Sequence, residues 1–174
     1  MEIRLDIFEF ATKLMAMDEE TWMRHANPIS GWSRIFTFPF VILAFWSRQW
    51  IGWWCLIPIT VISLWSFLNP RIFPRPVSTD NWASKGVLGE RAFTQNKNKT
   101  GNILPTHHIK AAKTLTLITG IGSIILVYGL VVLQIWPTLL GASAVFLGKM
   151  WFVDRMVWLF EDIKDNEPFN SWLY

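Results

Sequence analysis

Long uncharged runs dominate the pattern of hydrophobic and polar positions in this chain. No charged residue occurs between Lys113 and Lys149. A short segment at 134–137, which begins with glutamine and ends with proline, divides this stretch in two. About 20 residues of helix cross the ~30 Å hydrocarbon core of a bilayer. The pattern therefore predicts a membrane hairpin with spans at about 114–133 and 138–156.

The first half of the chain predicts a second, less regular hairpin. Residues 49–68 form a full-length apolar span, whereas the run before it, 35–47, is bounded by Arg34 and Arg48 and is short for a span. Because tryptophans flank this run at both ends, as interface anchors do, we predict a span at about 35–48. The alternative is a re-entrant segment that enters and leaves on one side of the membrane.

The predicted fold class is thus an all-α membrane protein, with four transmembrane helices in two hairpins and a single domain over residues 1–174. The first 17 residues repeat apolar side chains at helical spacing, which predicts an amphipathic helix that lies on the membrane or packs on the bundle. Residues 69–113 form a central cytoplasmic loop, and Pro70 excludes a regular helix at its start.

Local signals add two helical segments to this picture. Asp80 or Asn81 can cap a short helix that reaches Phe93 within the central loop. The stretch 151–163 is expected to continue the last helix into the cytoplasm, until the residues at 166–168 end it.

Composition agrees with membrane insertion. Hydrophobic residues make up 52% of the 174 positions and charged residues 17%, against about 25% charged residues in soluble domains. The twelve tryptophans suit bilayer interfaces. Cys55 is the single cysteine, so no disulfide forms within one chain. The N-terminus lacks the basic and apolar regions of a cleavable signal peptide. The small net charge of +3 predicts no nucleic-acid partner.

The basic residues predict the orientation in the membrane. Of the 16 Lys and Arg residues, only Arg48 lies at a hairpin turn, and the others lie near the termini, the central loop or the adjoining span ends. Cytoplasmic segments carry such an excess of Lys and Arg. We therefore predict cytoplasmic N- and C-termini and a location in the inner membrane of a bacterial or archaeal cell.

Polar side chains from several chain segments are expected to meet at the cytoplasmic face. Arginine forks match phosphate oxygens, so anion or headgroup binding is the chemistry that this face favours. The residues predicted for this role are Arg34, Arg71, Arg91, Asn27 and Asn69. The weak candidates for acid–base catalysis are His25 and Asp154.

The last helix carries a cluster of acids. Asp154, Trp158, Glu161 and Asp162 stand at i, i+4, i+7 and i+8, which predicts one helical face for ion pairing. A weaker alternative is a metal site drawn from His25, His107, His108, Glu90 and Asp154. No recognised ligand spacing supports that site, so we predict no metal and no cofactor.

Three motifs along the chain are distinctive: HANP at 25–28, NPR followed by FP at 69–74, and WFVDRMVW at 151–158. On these motifs the chain resembles an uncharacterised family of small prokaryotic multi-span membrane proteins. The resemblance covers most of the chain and implies a multi-span bundle. It implies no activity, and no catalytic residue can be transferred.

The absence of nucleotide-binding and hydrolase motifs favours a non-enzymatic, lipid-interacting or assembly component of the membrane. The expected partners are membrane lipids, and a homo-oligomer or a partner membrane protein. One alternative is a small membrane enzyme that acts on a phosphorylated lipid or metabolite at the cytoplasmic face. The other is an oligomeric channel or facilitator, although no charged residue lies at mid-membrane depth to couple ions.

Overall fold

The computed structural model describes residues 17–96, without the side chain of residue 96, and residues 104–174. This part of the chain is all-α, with no strand. Its helices are α1 (Glu19–His25), α2 (Pro28–Trp46), α3 (Arg48–Ile51), α4 (Leu56–Ile72), α5 (Trp82–Asn96), α6 (Thr106–Val132) and α7 (Ile135–Ile163). The predicted N-terminal amphipathic helix falls on residues 1–17, of which all but Met17 lie outside the described residues.

Three helical stretches are long and apolar enough to cross a membrane. They are Pro28–Ile72, Thr106–Val132 and Ile135–Ile163. These candidate spans indicate a multi-pass membrane protein, which agrees with the all-α membrane class predicted from the sequence.

The first candidate span is folded back on itself. Ser30, at the start of α2, donates a hydrogen bond of 2.7 Å to Asn69, at the end of α4, so the two helices run antiparallel. The chain reverses through α3 and a 3₁₀ turn over Gly52–Cys55. Gly52 has a φ of 54°, a backbone conformation that glycine adopts without the steric cost of a Cβ.

This reversal corrects two predicted boundaries. The predicted span 49–68 begins inside the turn, and its helix starts only at Leu56. The predicted span at 35–48 belongs to a helix that starts earlier, at Pro28, because the Asn27 side chain accepts from the Ile29 N–H and caps it. Proline suits the first helical position, where its missing N–H costs nothing.

The central loop differs from its prediction at one end and agrees with it at the other. The expectation that Pro70 excludes a helix there is wrong, since α4 continues through Pro70 to Ile72. Pro70 lies so close to the helix end that little of the hydrogen-bond ladder is lost. The predicted short helix is confirmed as α5, and the Asn81 side chain caps it by accepting from the Ser84 N–H at 3.0 Å.

Helices α6 and α7 form the most closely packed pair. A Cβ on Gly141 would lie 2.3 Å from the Leu126 backbone nitrogen, and one on Gly122 would lie 2.7 Å from the Ala144 side chain. Small residues of this kind let membrane helices approach backbone to backbone. Helix α7 continues to Ile163, which confirms the predicted extension beyond the last span.

The two ends of the molecule are packed differently. At the end formed by α1, α5, the start of α6, the end of α7 and the C-terminal turn Phe169–Trp172, large apolar side chains are fully buried, including Phe93, Phe160 and Phe169. Elsewhere α2, α4, α6 and α7 expose theirs, as helices in contact with lipid do. The hairpin turns lie together, since Arg48 donates to the Val131 carbonyl at 2.6 Å.

Candidate functional site

A cavity of about 440 Å³ opens between α1, α2, α5 and α7. It lies where the buried end of the molecule meets the helices that expose apolar side chains. Its charged and titratable lining side chains are His25, Arg34, Glu90 and Lys149. Its apolar lining includes Ile35, Phe38, Val145, Phe146, Met150 and Val153.

The lining has a polarity gradient along the helices. Phe38 follows Arg34 by one turn of α2, and Phe146 precedes Lys149 by about one turn of α7, so both aromatic rings lie nearer the hairpin turns than the cations do. The two rings stack across the cavity with centroids 6.3 Å apart. The cavity is therefore charged at one end and apolar at the other.

Helix α5 forms the wall opposite α2 because glycines let it approach α7. A Cβ on Gly89 would lie 1.9 Å from the Met156 carbonyl oxygen, and one on Gly86 would lie 2.7 Å from the Val153 side chain. This close approach brings Glu90 within 3.0 Å of the Lys149 Nζ atom.

The Glu90–Lys149 pair remains charged. Burial by itself would raise the pKa of Glu90, but the nearby positive charge of Lys149, its hydrogen bond and the charge of Arg34 outweigh burial and lower that pKa. The carboxylate is thus ionised at neutral pH and neutralises one of the two cations. Arg34 carries the remaining net positive charge of the cavity wall.

Arg34 is oriented by a buried chain of hydrogen bonds. Its Nη1 lies 3.2 Å from His25 Nε2, and because arginine has only donors, that imidazole nitrogen must accept. His25 Nδ1 therefore carries the proton and donates to Ser30 Oγ at 3.0 Å. Ser30 donates to Asn69 Oδ1, and Asn69 Nδ2 donates to Ser33 Oγ at 2.8 Å. These hydrogen bonds begin at Arg34 of α2, pass through His25 of α1, Ser30 of α2 and Asn69 of α4, and end at Ser33 of α2.

His25 is held neutral by this environment. Burial first, and the charge of Arg34 second, lower its pKa from 6.5 to about 3. A neutral imidazole fits the hydrogen-bond pattern, since a protonated ring would present a second donor to the guanidinium of Arg34.

The structure brings together part of the predicted site. His25 and Arg34 line the cavity, and Asn69 joins them through Ser30. Asn27 lies next to this group, but its side chain caps α2 and donates to the Pro74 carbonyl at 3.1 Å. Asn27 and Asn69 therefore hold backbone and side chains in place instead of lining the cavity.

Two of the predicted arginines lie elsewhere. The Arg71 guanidinium stands 4.5 Å over the Phe67 ring and donates to the Phe67 carbonyl. Arg91 is buried 4.0 Å over the Trp172 ring and pairs with Glu19 at 3.2 Å. Neither lines the cavity, so the structure does not bring Arg71 and Arg91 together with Arg34 there.

The predicted acidic face of the last helix is also divided. Asp154 accepts from Trp82 Nε1 at 3.0 Å and lies outside the cavity lining. Glu161, two turns further on, pairs with Lys85 of α5 at 2.5 Å. Asp162 points instead toward α6, where it meets His108. One position along a helix is a rotation of about 100°, which separates Asp162 from the other two.

Sequence reasoning missed the pairing of Lys149 with Glu90. In the sequence, Lys149 only marks the end of an uncharged run, and Glu90 is one of several candidate metal ligands. The position of Lys149 did indicate a partner, because a charge inside an otherwise apolar run needs an oppositely charged group or a water-filled cavity. The partner itself lies 59 positions away in sequence, beyond the reach of any local pattern.

The chain matches one uncharacterised sequence family over nearly its whole length, as its resemblance predicted. Residues 7–173 match a family described as "Family of unknown function (DUF6653)", and the chain belongs to that family. No curated protein and no solved structure matches it.

Proposed function

We propose that this protein is a non-enzymatic component of the membrane that binds an anionic phospholipid, with the phosphate at Arg34 and Lys149. The observation that carries the proposal is the gradient within one cavity, with cations at one end and stacked aromatic rings at the other. A phospholipid has the same order of groups, a charged headgroup followed by apolar chains.

Arg34 is suited to hold a phosphate. Among the described residues its side chain has one hydrogen-bond partner, His25, so four of its five N–H donors remain for a ligand. Because His25 fixes one edge of the guanidinium, less rotamer entropy is lost when a ligand binds. A fixed fork of this kind is suited to bidentate contact with phosphate oxygens.

The charge of the cavity favours a singly charged headgroup. Arg34 and Lys149 contribute two positive charges and Glu90 one negative charge, which leaves one net positive charge at neutral pH. A phosphodiester carries one negative charge, so a phospholipid such as phosphatidylglycerol matches this balance. A zwitterionic lipid would bring a second cation toward the wall and bind less well.

We infer that α2, α4, α6 and α7 each cross the membrane, with both termini in the cytoplasm. Helices α2 and α4 contain 19 and 17 residues, or about 28 and 26 Å, close to the hydrocarbon thickness. The contact of Arg48 with Val131 supports placing both turns on one side. The excess of basic residues then assigns the opposite side, which contains the cavity, to the cytoplasm of a prokaryotic cell.

The alternative functions have less support. An enzyme would need an acid or base that titrates near neutral pH, whereas His25 has a pKa of about 3 and Asp154 lies outside the cavity lining. For a channel, no path runs between α6 and α7, where glycine and alanine pack closely, so a path would have to form between copies of the chain. Assembly with a second copy or with another membrane protein is compatible with lipid binding.

The proposal is tested by measuring bound lipid on the purified full chain by native mass spectrometry. Phosphatidylglycerol should bind in preference to phosphatidylcholine. Arg34→Gln and Lys149→Gln should each weaken phosphatidylglycerol binding about tenfold or more, because a hydrogen bond to a charged group contributes about 1.5–3 kcal/mol.

The matched control is Lys110→Gln. This exposed lysine of α6 lies outside the cavity lining, so its loss removes the same charge and should leave lipid binding unchanged. Glycerophosphoglycerol, which lacks acyl chains, should bind far more weakly than the lipid if the apolar end is occupied. Equal binding of the two lipids, or equal effects of the three substitutions, would refute the proposal.

A further inference from the structure

Two adjacent histidines and a carboxylate converge at the end of the α6–α7 pair that lies away from the hairpin turns. His108 Nε2 lies 2.8 Å from Asp162 Oδ2, and His107 Nε2 lies 4.0 Å from the same oxygen. The three potential ligand atoms are all within 4.8 Å of one another. We propose that His107, His108 and Asp162 bind a divalent transition-metal ion, with Zn²⁺ as the ion of best fit.

The donor set has the chemistry that such an ion needs. Two imidazole nitrogens and one carboxylate oxygen are ligands of zinc and of other borderline divalent ions, while calcium and magnesium prefer oxygen alone. Ligand atoms about 2.1 Å from a tetrahedral zinc ion lie roughly 3.4 Å from one another. That separation falls between the two distances to Asp162, so a small movement of His107 completes the geometry.

One histidine is fixed and the other is free to adjust. The His108 side chain is 2% exposed and the His107 side chain 69% exposed. The two rings lie 4.1 Å apart at 40° to each other, so both Nε2 atoms reach Asp162 although the residues are adjacent in sequence.

The cluster lies between two helix ends of opposite polarity. Asp162 is in the last turn of α7, whose unpaired carbonyl groups favour a cation, while both histidines are in the first turn of α6, whose unpaired N–H groups oppose one. The Asp162 carboxylate therefore supplies the negative charge of the site. A bound cation would join the start of α6 to the end of α7, so metal binding should stabilise the buried end of the molecule. None of the three ligands lines the lipid cavity.

The test uses the full chain purified without a polyhistidine tag and stripped of metal by dialysis against a chelator. Addition of Zn²⁺ should raise the temperature of thermal unfolding and give one bound ion per chain by mass spectrometry. Co²⁺ as a spectroscopic probe should give the visible absorption of a site with nitrogen and oxygen ligands. The exposed ligands are removed by His107→Ala and by Asp162→Asn, which leave the core intact.

Each of these substitutions should weaken Zn²⁺ binding more than about tenfold, since even the loss of a group that only orients a metal ligand costs about 10–100-fold. Asp165→Asn is the matched control, because it removes an exposed carboxylate three residues further along the chain, outside the cluster. Absence of Zn²⁺ and Co²⁺ binding in the unsubstituted chain would overturn the proposal, and so would equal binding by the Asp162 and Asp165 variants. The lipid variant Lys149→Gln should bind Zn²⁺ normally, which keeps the two proposals separable.

Discussion

At the scale of single residues, the protonation state of His25 decides how the site is held together. The neutral ring donates to Ser30 from Nδ1 and accepts from Arg34 at Nε2, and the contact with Arg34 requires that Nε2 carry no proton. Protonation would remove the acceptor and add a positive charge beside Arg34. The folded protein therefore resists binding a proton that the unfolded chain takes up freely.

This difference in proton binding predicts that the free energy of unfolding decreases in acid. The pKa of His25 is about 3 in the folded chain and 6.5 in a model peptide, so between these values the unfolded state binds more protons. Stability is therefore retained above pH 6.5 and falls as the pH drops, by up to about 1.4 kcal/mol per pH unit from this group. The measurement is the free energy of unfolding in detergent micelles between about pH 7 and pH 5.5, above most of the range where carboxylates titrate.

The control for this prediction is His25→Gln, which cannot titrate but keeps a donor and an acceptor at similar reach. This variant should show a flatter pH dependence than the unsubstituted chain over the same range. Equal slopes for the two proteins would mean that His25 is not the group responsible.

At the scale of the helices, the uncharged runs predicted which segments are helical better than they predicted where the helices begin and end. The apolar runs identified all the long helices, and the caps identified α5, because both signals are local. The α2–α4 turn was misplaced, since the positive φ of Gly52 and the 3₁₀ turn after it break a run that is apolar throughout. The contacts of Asp154 with Trp82 and of Arg91 with Trp172 could not be predicted, because the partners are distant in the chain.

The packing of α6 against α7 predicts opposite outcomes for two glycines. In Gly141→Ala the added Cβ would fall 2.3 Å from the Leu126 backbone nitrogen, whereas at Gly120 no atom lies within 4 Å. Overpacking of this kind costs about 1–3 kcal/mol, while alanine at an open helical position is neutral or slightly favourable. Thermal unfolding in micelles should therefore separate Gly141→Ala from Gly120→Ala. Similar unfolding temperatures would show that the helices are farther apart than described.

At the scale of the whole molecule, the two hairpins point in the same direction, with both turns at one end. Arg48 joins the turn of one hairpin to the end of α6 in the other, and the buried core closes the opposite end. The exposed tryptophans Trp50, Trp53 and Trp136 are grouped at the turns, where they suit a bilayer interface. If α2 and α4 both cross the membrane, the turns and the C-terminus lie on opposite sides.

Cysteine labelling in intact cells tests this arrangement directly. In a Cys55→Ser background, single cysteines replace the exposed residues Gln49, Gln134 or Ser171. A membrane-impermeant maleimide should label Gln49→Cys and Gln134→Cys from outside, because each lies at a hairpin turn, and should label Ser171→Cys only after the membrane is opened. The re-entrant alternative keeps residues 35–47 on one side and leaves a single crossing in the first hairpin. With the N-terminus in the cytoplasm, it predicts that Gln49→Cys and Gln134→Cys are protected while Ser171→Cys is labelled from outside. That outcome would reduce the number of crossings to three and would place the C-terminus outside the cell.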